Sequence, residues 1–513
     1  MRETSNAMSF GLLNTAILTI YLGAMVAVGV WFSRRQKTTE DYFLAGRRMP
    51  WIVVSMSIFA SLTSAISYMG VPRTAYKENI SMLAGYLAGP LVAVCLIWLF
   101  LPFYHRLRVT TSYEYIDRRF GLSGRLAVST LFLLARLGWL GTVIYAPALA
   151  LSVATGMPLV GAIILIGAVA TVYTVLGGLS AVLWTDMVQF IILVGGGIWV
   201  SISLIQGVPD GIEGIWQTAA AAESPRTGGF NWSFSLFELT ATAAVAAAFF
   251  GSLQDYGTDQ VTVQRILAIG NFRGMAKAVL LNSIFDILIM GMLCFMGIGM
   301  FAYYHHFPDR LAEGVVEDRL LPYYIMQALP PGASGLVITA IFAAAMSSMD
   351  SGIHSVSTVI TNDFVRPLRG NRMADREVLM LARVLVVVLG VVATAVAFVV
   401  SGFDHILAAS SRFLGMFSAP VLALFVLGVL TRRANFGGWL VGLAAALATT
   451  IAAQYVTFGA AAQKLHWLYY FPVSFLVCLV VGYVAGLLFA PSPAPKELTI
   501  WGRGSGGATT DVS

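Results

Sequence analysis

Side chains able to do chemistry are sparse in this 513-residue chain and gather in a few places. Residues 344–351, AAMSSMDS, set Ser347, Ser348 and Ser351 beside Asp350. In a helix Ala344, Ser347, Ser348 and Ser351 fall along one stripe, so hydroxyl and carbonyl oxygens collect next to a carboxylate. Hard oxygen donors suit Na⁺ and do not suit soft metals. A Ser/Ala packing seam would have the same composition, but it has no use for Asp350. Residues 51–71, WIVVSMSIFASLTSAISYMGV, hold Ser55, Ser57, Ser61, Thr63, Ser64 and Ser67, with Gly70 and Pro72 closing the run. That pattern fits a helix that loosens to offer carbonyls to a cation, or one whose small hydroxyl residues let neighbours pack closely. Asp186 follows GGLSAVLWT in another apolar run. An isolated carboxylate near the centre of a spanning helix costs about 2.5–3.5 kcal/mol, so Asp186 must be protonated, paired or cation-bound unless it lies near the interface. Arg136 and Arg412 also stand inside apolar runs. A buried guanidinium needs an anionic or carbonyl partner; snorkelling towards the interface is the other account, chiefly for Arg136.

The elements that position these residues must be membrane helices. Hydrophobic residues make up 58% of the chain and charged ones 11%, where a soluble domain carries about 25% charge. Too few polar side chains remain to cover a water-soluble body, which excludes an ordinary cytosolic enzyme, a disordered chain and a nucleic-acid binder. At about 20 apolar residues per crossing, thirteen spans are expected, near residues 10–32, 51–71, 81–104, 126–151, 158–176, 180–204, 234–252, 276–302, 333–360, 378–401, 404–430, 437–457 and 467–489. Cys95, Cys294 and Cys478 lie inside such runs and read as packing residues with no disulfide framework. The first run has its positive charges, Arg34, Arg35 and Lys37, behind it, unlike a cleaved signal. Lys and Arg in the alternate loops divide 21 to 7. Their excess marks the cytoplasmic face, which puts the amino terminus outside and the carboxyl terminus inside. Orientation thus accounts for the net charge of +6. The loops at 205–233 and 303–332 are too short for a catalytic domain, so function belongs to the bundle. The six histidines form no i, i+4 metal pair, against a membrane-embedded enzyme. The tail from Ala490 is too short for the signalling module of a transporter-like sensor.

Four segments, in order, are DYFLAGRRMPW (41–51), GGLSAVLWTDMVQ (177–189), YGTDQVTVQR (256–265) and AAAMSSMDSGIHSVSTVITNDF (343–364). With them the chain closely resembles, over nearly its whole length, the sodium:solute symporter family, which includes transporters of sugars, proline, monocarboxylates, pantothenate, sialic acid and iodide. WTDMVQ and MSSMDS are the most specific. The resemblance implies an all-α polytopic membrane protein with the leucine-transporter type of inverted five-plus-five helix repeat and about thirteen transmembrane helices. Residues 1–50 would hold the first helix and a cytoplasmic loop, 51–204 the first repeat, and 205–233 an extracellular loop. Residues 234–430 would form the second repeat, and 431–513 two further helices and a cytoplasmic tail. The opening helix of each repeat would be broken, with substrate and ions near the midplane between them. The implied main sodium site comprises the carbonyls of Ala60, Thr63 and Ala344 and the hydroxyls of Ser347 and Ser348. A second site, found in some members, would use Asp186, Ser347, Asp350 and Ser351. Those relatives have serine where this chain has Asp350, whose extra carboxylate could strengthen cation binding, carry a proton or form an internal pair.

Substrate-contact positions in relatives fall on Ser64, Ser67, Tyr68, Tyr86, Trp139, Ser252, Asp255 and Ser411. Sugar-binding relatives carry acid and amide groups at several of these, where this chain has Tyr86 and Ser252, so a sugar is less favoured. The substrate-binding arginine of carboxylate-binding relatives aligns with Trp139, with Arg136 one turn away, which argues against a direct sialic-acid assignment. SAISYMGVPRTAY (64–76) is most similar to the branch of monocarboxylate, vitamin and iodide transporters. The expected protein is not an enzyme. It is a secondary active symporter of the plasma or inner membrane that uses Na⁺ to import a small organic solute by alternating access. A carboxylate or other anion is expected, met by Arg412; a neutral sugar, polyol or amino acid is the alternative. Its partners would be the solute, sodium ions and the lipid bilayer, with no nucleic acid and no obligate protein partner.

Overall fold

Apolar runs of this length can satisfy their backbone N–H and C=O groups without water only as helices. The computed structural model describes residues 10–33, 38–107, 109–176, 178–227, 230–312, 315, 317–370, 373–402, 406–458, 463–489 and 496–502. Its principal helices, in chain order, begin with α1 (Gly11–Ser33), α2 (Trp51–Leu62), α3 (Ala65–Lys77), α4 (Met82–Leu107) and α5 (Leu122–Thr155). Then come α6 (Leu159–Leu176), α7 (Leu179–Gly207), α8 (Ala241–Gly257), α9 (Gln260–Leu267) and α10 (Phe272–His306). The last are α11 (Ala333–Leu368), α12 (Asp375–Val400), α13 (Leu407–Leu430), α14 (Phe436–Tyr455) and α15 (Trp467–Gly486). Among the described residues ten helices are long and apolar enough to cross a bilayer, eleven with α2 and α3 taken as one bent span. The other two expected positions hold α6, of 18 residues, and α8, of 17. A two-residue antiparallel pair, Thr457–Phe458 with Gln463–Lys464, is the one departure from an all-α chain among the described residues.

Two breaks organise the bundle. Between α2 and α3 the chain turns by 61°. The last bond of α2 runs from Thr63 N to the Phe59 carbonyl at 2.8 Å, and Ser64 is extended (φ −80, ψ 176). Its hydroxyl accepts from Ile66 N at 3.1 Å and so starts α3 as a cap. The expected loosening near Gly70 and Pro72 is corrected, since both lie inside α3. The second break lies between α8 and α9, where Asp259 caps the new helix by accepting from Val261 N at 2.9 Å.

Almost all of α11 is buried, against α1, α2, α5, α7 and α12. Near its start Asn14 of α1 accepts from Gly332 N and Gly335 N at 2.7 and 3.1 Å. Near its end a π-helical turn, Ile360–Val365, presents Asp363. Arg125 binds that carboxylate through Nη2 at 2.6 Å and Nε at 3.0 Å, and reaches Asp117 at 3.1 Å. Thr111 and Ser129 also donate to Asp363, at 2.8 and 2.9 Å.

The loops expected on one side do meet at one end of the bundle. Arg47 bonds the Val109 carbonyl, Tyr115 the Leu498 carbonyl and Trp501 the Leu430 carbonyl. Three arginines counted as loop charges are corrected: Arg119, Arg125 and Arg265 are buried, held by carbonyls or carboxylates. Arg2, Arg34, Arg35, Lys37, Arg108, Arg372 and Arg503, counted with them, lie outside the described residues.

The pair α14 and α15 packs backbone to backbone. A Cβ on Gly442 would sit 2.4 Å from the Cys478 carbonyl and 2.8 Å from Gly482 Cα. Close approach through small residues is how helices associate where burial from water supplies no drive. Gly442→Leu should therefore lower the thermal midpoint of the detergent-purified protein, since overpacking costs about 1–3 kcal/mol or more; Gly291→Ala on α10, where a Cβ meets open space, should not. Tryptophan-fluorescence melts of both variants check this.

Candidate cation and solute site

Where α2 ends, carbonyls that a continuous helix would have used are left to other partners. α11 supplies them. Ser347 Oγ donates to the Ala60 carbonyl at 2.7 Å and to the Ala344 carbonyl at 3.1 Å. Ser348 Oγ donates to the Ser61 carbonyl at 2.9 Å. All of these residues are fully buried. The structure thus brings Ala60, Ala344, Ser347 and Ser348 together, with Thr63 at the break itself (φ −83, ψ 80). The donors are carbonyl and hydroxyl oxygens without nitrogen or sulfur, a set that fits a hard monovalent cation such as Na⁺.

One turn further along α11 a second cluster forms around Asp186 of α7. Ser57 and Ser61 donate to its Oδ2 at 2.5 and 3.2 Å, and Ser61 bonds Ser351 at 2.8 Å. Arg265 of α9 completes it. Its Nη2 pairs with the same Oδ2 at 3.2 Å and also donates to Ser351, while Nε reaches Ser57 at 3.0 Å. Asp350 Oδ1 accepts from Ser351 at 3.2 Å. Asp186 Oδ1 and Asp350 Oδ2 have no hydrogen-bond partner among the described residues, and both residues are fully buried. Asp186 is therefore a buried, paired acid and no solvent-facing one. Asp186, Asp350 and Ser351 come together as expected. Arg265 is not among the residues expected here, because YGTDQVTVQR reads from its sequence as a loop following an apolar run. The break before α9 carries the chain back into the protein, and Arg265 with it.

A cavity of about 250 Å³ lies on the other side of the α2–α3 break. It brings together Ser64, Ser67, Tyr86, Trp139, Ser252, Asp255 and Ser411. Two expected residues lie outside this lining. Tyr68 turns away and donates to the Leu193 carbonyl of α7 at 3.4 Å, because consecutive helical residues point about 100° apart. Arg412 is engaged with Tyr470 and is not among the lining residues, although Ser410, Ser411 and Leu414 are.

Two charged residues join the cavity wall, Arg136 and Asp286. Arg136 does not snorkel. It is 2% exposed, lies over the Trp139 ring at 4.5 Å, and pairs through Nη2 with Asp259 at 2.5 Å and more loosely with Asp255 at 3.8 Å. Asp286 accepts from the Tyr256 hydroxyl at 2.7 Å and from Asn282 Nδ2 at 3.0 Å. An acid within the apolar run NSIFDILIMGM is the same signal that singles out Asp186, and it is present here too.

Leu62, Thr63 and Ser64 line the cavity and also form the break beside the cation donors, so one backbone segment borders both sites. Asp186→Asn should lower the thermal midpoint, since removing one member of a buried pair costs about 3–5 kcal/mol. Asp350→Ser, which removes no ion-pair partner, should leave it nearly unchanged. Melts of the two purified variants check the contrast.

The sodium:solute symporter family model matches residues 42–445. The sodium/sialic acid symporter NanT of Aliivibrio fischeri is 33% identical over 488 residues, 94% of each chain. Sodium-coupled monocarboxylate transporter 2 of Danio rerio is 33% identical over 430 residues, 81% of this chain and 67% of that one. A solved structure of a Na⁺-coupled sialic acid symporter, substrate-bound and outward-open, superposes with a TM-score of 0.86 at 30% identity, over 95% of this chain and 100% of the other. These matches run through both broken helices, both acid clusters and the cavity: the chain belongs to the sodium:solute symporter family.

Proposed function

We propose that the protein is a sodium-coupled symporter that imports a small organic solute bearing a carboxylate. One observation carries the coupling: the segment Leu62–Ser64 is at once the end of the helix whose carbonyls meet Ser347 and Ser348 and part of the wall of the solute cavity. A cation drawn to those carbonyls fixes the break, and the break shapes the cavity, so each ligand favours the arrangement the other needs. Each Na⁺ entering down 100 mV releases about 2.3 kcal/mol from the potential alone, enough to hold a substantial solute gradient.

The carboxylate reading rests on Arg136, a guanidinium on the cavity wall stacked on Trp139, and on relatives whose names specify sialic acid and monocarboxylates. Arg136 takes the role expected of Arg412. The second cluster, with free oxygens on Asp186 and Asp350, offers a further cation position. The charge bias of the loops supports a multi-pass protein of the plasma or inner membrane with its amino terminus outside.

In proteoliposomes, uptake of a bound carboxylate should require an inward sodium gradient; equal uptake with and without it would refute the coupling. Ser348→Ala should raise the Na⁺ concentration for half-maximal uptake about tenfold, the loss expected for one hydrogen-bonding ligand of a charged group. Arg136→Lys keeps the charge but loses the planar fork, so the solute KM should rise at least about tenfold with the Na⁺ requirement little changed, whereas Arg412→Gln should leave that KM alone. Radiolabelled uptake across a series of Na⁺ and solute concentrations separates these effects.

A further inference from the structure

Acidic side chains outnumber basic ones around the solute cavity. Its charged lining consists of Arg136, Asp255 and Asp286. The single guanidinium is already matched by Asp259, fully buried behind it at 2.5 Å. Asp255 Oδ1 stands 3.8 Å from Arg136 Nη2, beyond hydrogen-bond reach, with its side chain 30% exposed. Asp286 is met by two neutral donors, Tyr256 and Asn282. Three acidic side chains thus stand around one guanidinium, and a solute that brought only a carboxylate would add a fourth acidic group with no basic side chain of its own to meet it.

We infer that the transported solute carries a positively charged nitrogen as well as its carboxylate, with the nitrogen held between Asp255 and Asp286. This rests on the symporter reading above and deepens it. The two acids reach the cavity from different helices, α8 and α10, and Asp286 also faces a small recess shared with Tyr86, Ser252 and Tyr256. The aromatic share of the wall supports the same chemistry: Tyr86, Trp467 and Phe471 line the cavity, and ring faces attract an ammonium group that carboxylates alone would hold less selectively. With the carboxylate at Arg136 and the nitrogen at the acid pair, a zwitterion leaves the cavity's net charge where the empty protein has it.

The local potential can be read without knowing the solute. Ser252→Cys, in a Cys95→Ser background, places a thiol on the wall beside both acids. Its conversion to a mixed disulfide by trimethylammonium-ethyl methanethiosulfonate, with methanesulfinate leaving, is compared with that by the anionic sulfonatoethyl reagent, each normalised to free 2-mercaptoethanol, in NaCl and in KCl of equal strength. The cationic reagent should be favoured at least about tenfold, within the range by which a charged cleft concentrates counter-ions. The preference should persist in NaCl and fall with Asp255→Asn and with Asp286→Asn, either of which suffices if the other does not fold. A ratio at or below that of the free thiol would overturn the inference. So would a preference abolished by Na⁺ but not K⁺, which would make sodium the occupant of the acid pair. In the same assay amino acids should protect the thiol better than their 2-hydroxy analogues; protection by the hydroxy acids alone would also overturn it. Thiol modification reports on the cavity whether or not uptake is sodium-driven, so the two readings fail separately.

Discussion

A backbone polar group at membrane depth must find a partner, because no water is there to take its place. The interruption of the helix at Thr63 and Ser64 is therefore the condition on which much of this structure depends. The carbonyls of Ala60 and Ser61 come free where they can be met only from α11, and Ser347 and Ser348 meet them at 2.7 and 2.9 Å. Hydroxyls that satisfy carbonyls can also turn their lone pairs to a cation, so the repair of the broken helix and the proposed cation site use one set of atoms. α11 has to be central, and it is the most fully buried of the long helices.

Charge follows the same rule. Asp186 with Arg265, Arg136 with Asp259, and Arg125 with Asp363 are buried pairs at 3.2, 2.5 and 2.6 Å. In each, the partners come from different parts of the chain, and the first two join α7 and α5 to the region of the second break. Buried pairs of this kind add little to stability over apolar packing but penalise any arrangement that separates them. They hold the two broken helices in register with the helices around them, and two carboxylate oxygens, Asp186 Oδ1 and Asp350 Oδ2, remain without a hydrogen-bond partner among the described residues.

Much of this is legible in the chain. The hydroxyl stripe of α11 and the acid in WTDMVQ are visible as polar atoms where lipid-facing helices have no use for them. Most of the solute positions inferred from family resemblance, Ser64, Ser67, Tyr86, Trp139, Ser252, Asp255 and Ser411, do face one cavity. The departures share a cause. Arg265, Arg119 and Arg125 sit at the ends of apolar runs, where sequence alone cannot separate a loop charge from one drawn inward by a break or a π-helical turn. Tyr68 and Arg412 neighbour true wall residues, and a single residue of helical rotation moves a side chain out of the cavity. Asp286 carries the same signal as Asp186 but has no motif around it to draw the eye.

By itself, then, the sequence determined the solvent, the helices, their expected orientation and the oxygen chemistry of α11, because hydropathy and residue type act locally and add along the chain. Tertiary structure alone decided which charge neutralises which, where the helix opens, and which face of each helix looks into the cavity. Those depend on distances between residues far apart in the chain, such as the 3.2 Å between Asp186 and Arg265. At membrane depth such a distance decides whether a charge is balanced or remains available to a passing ion or solute.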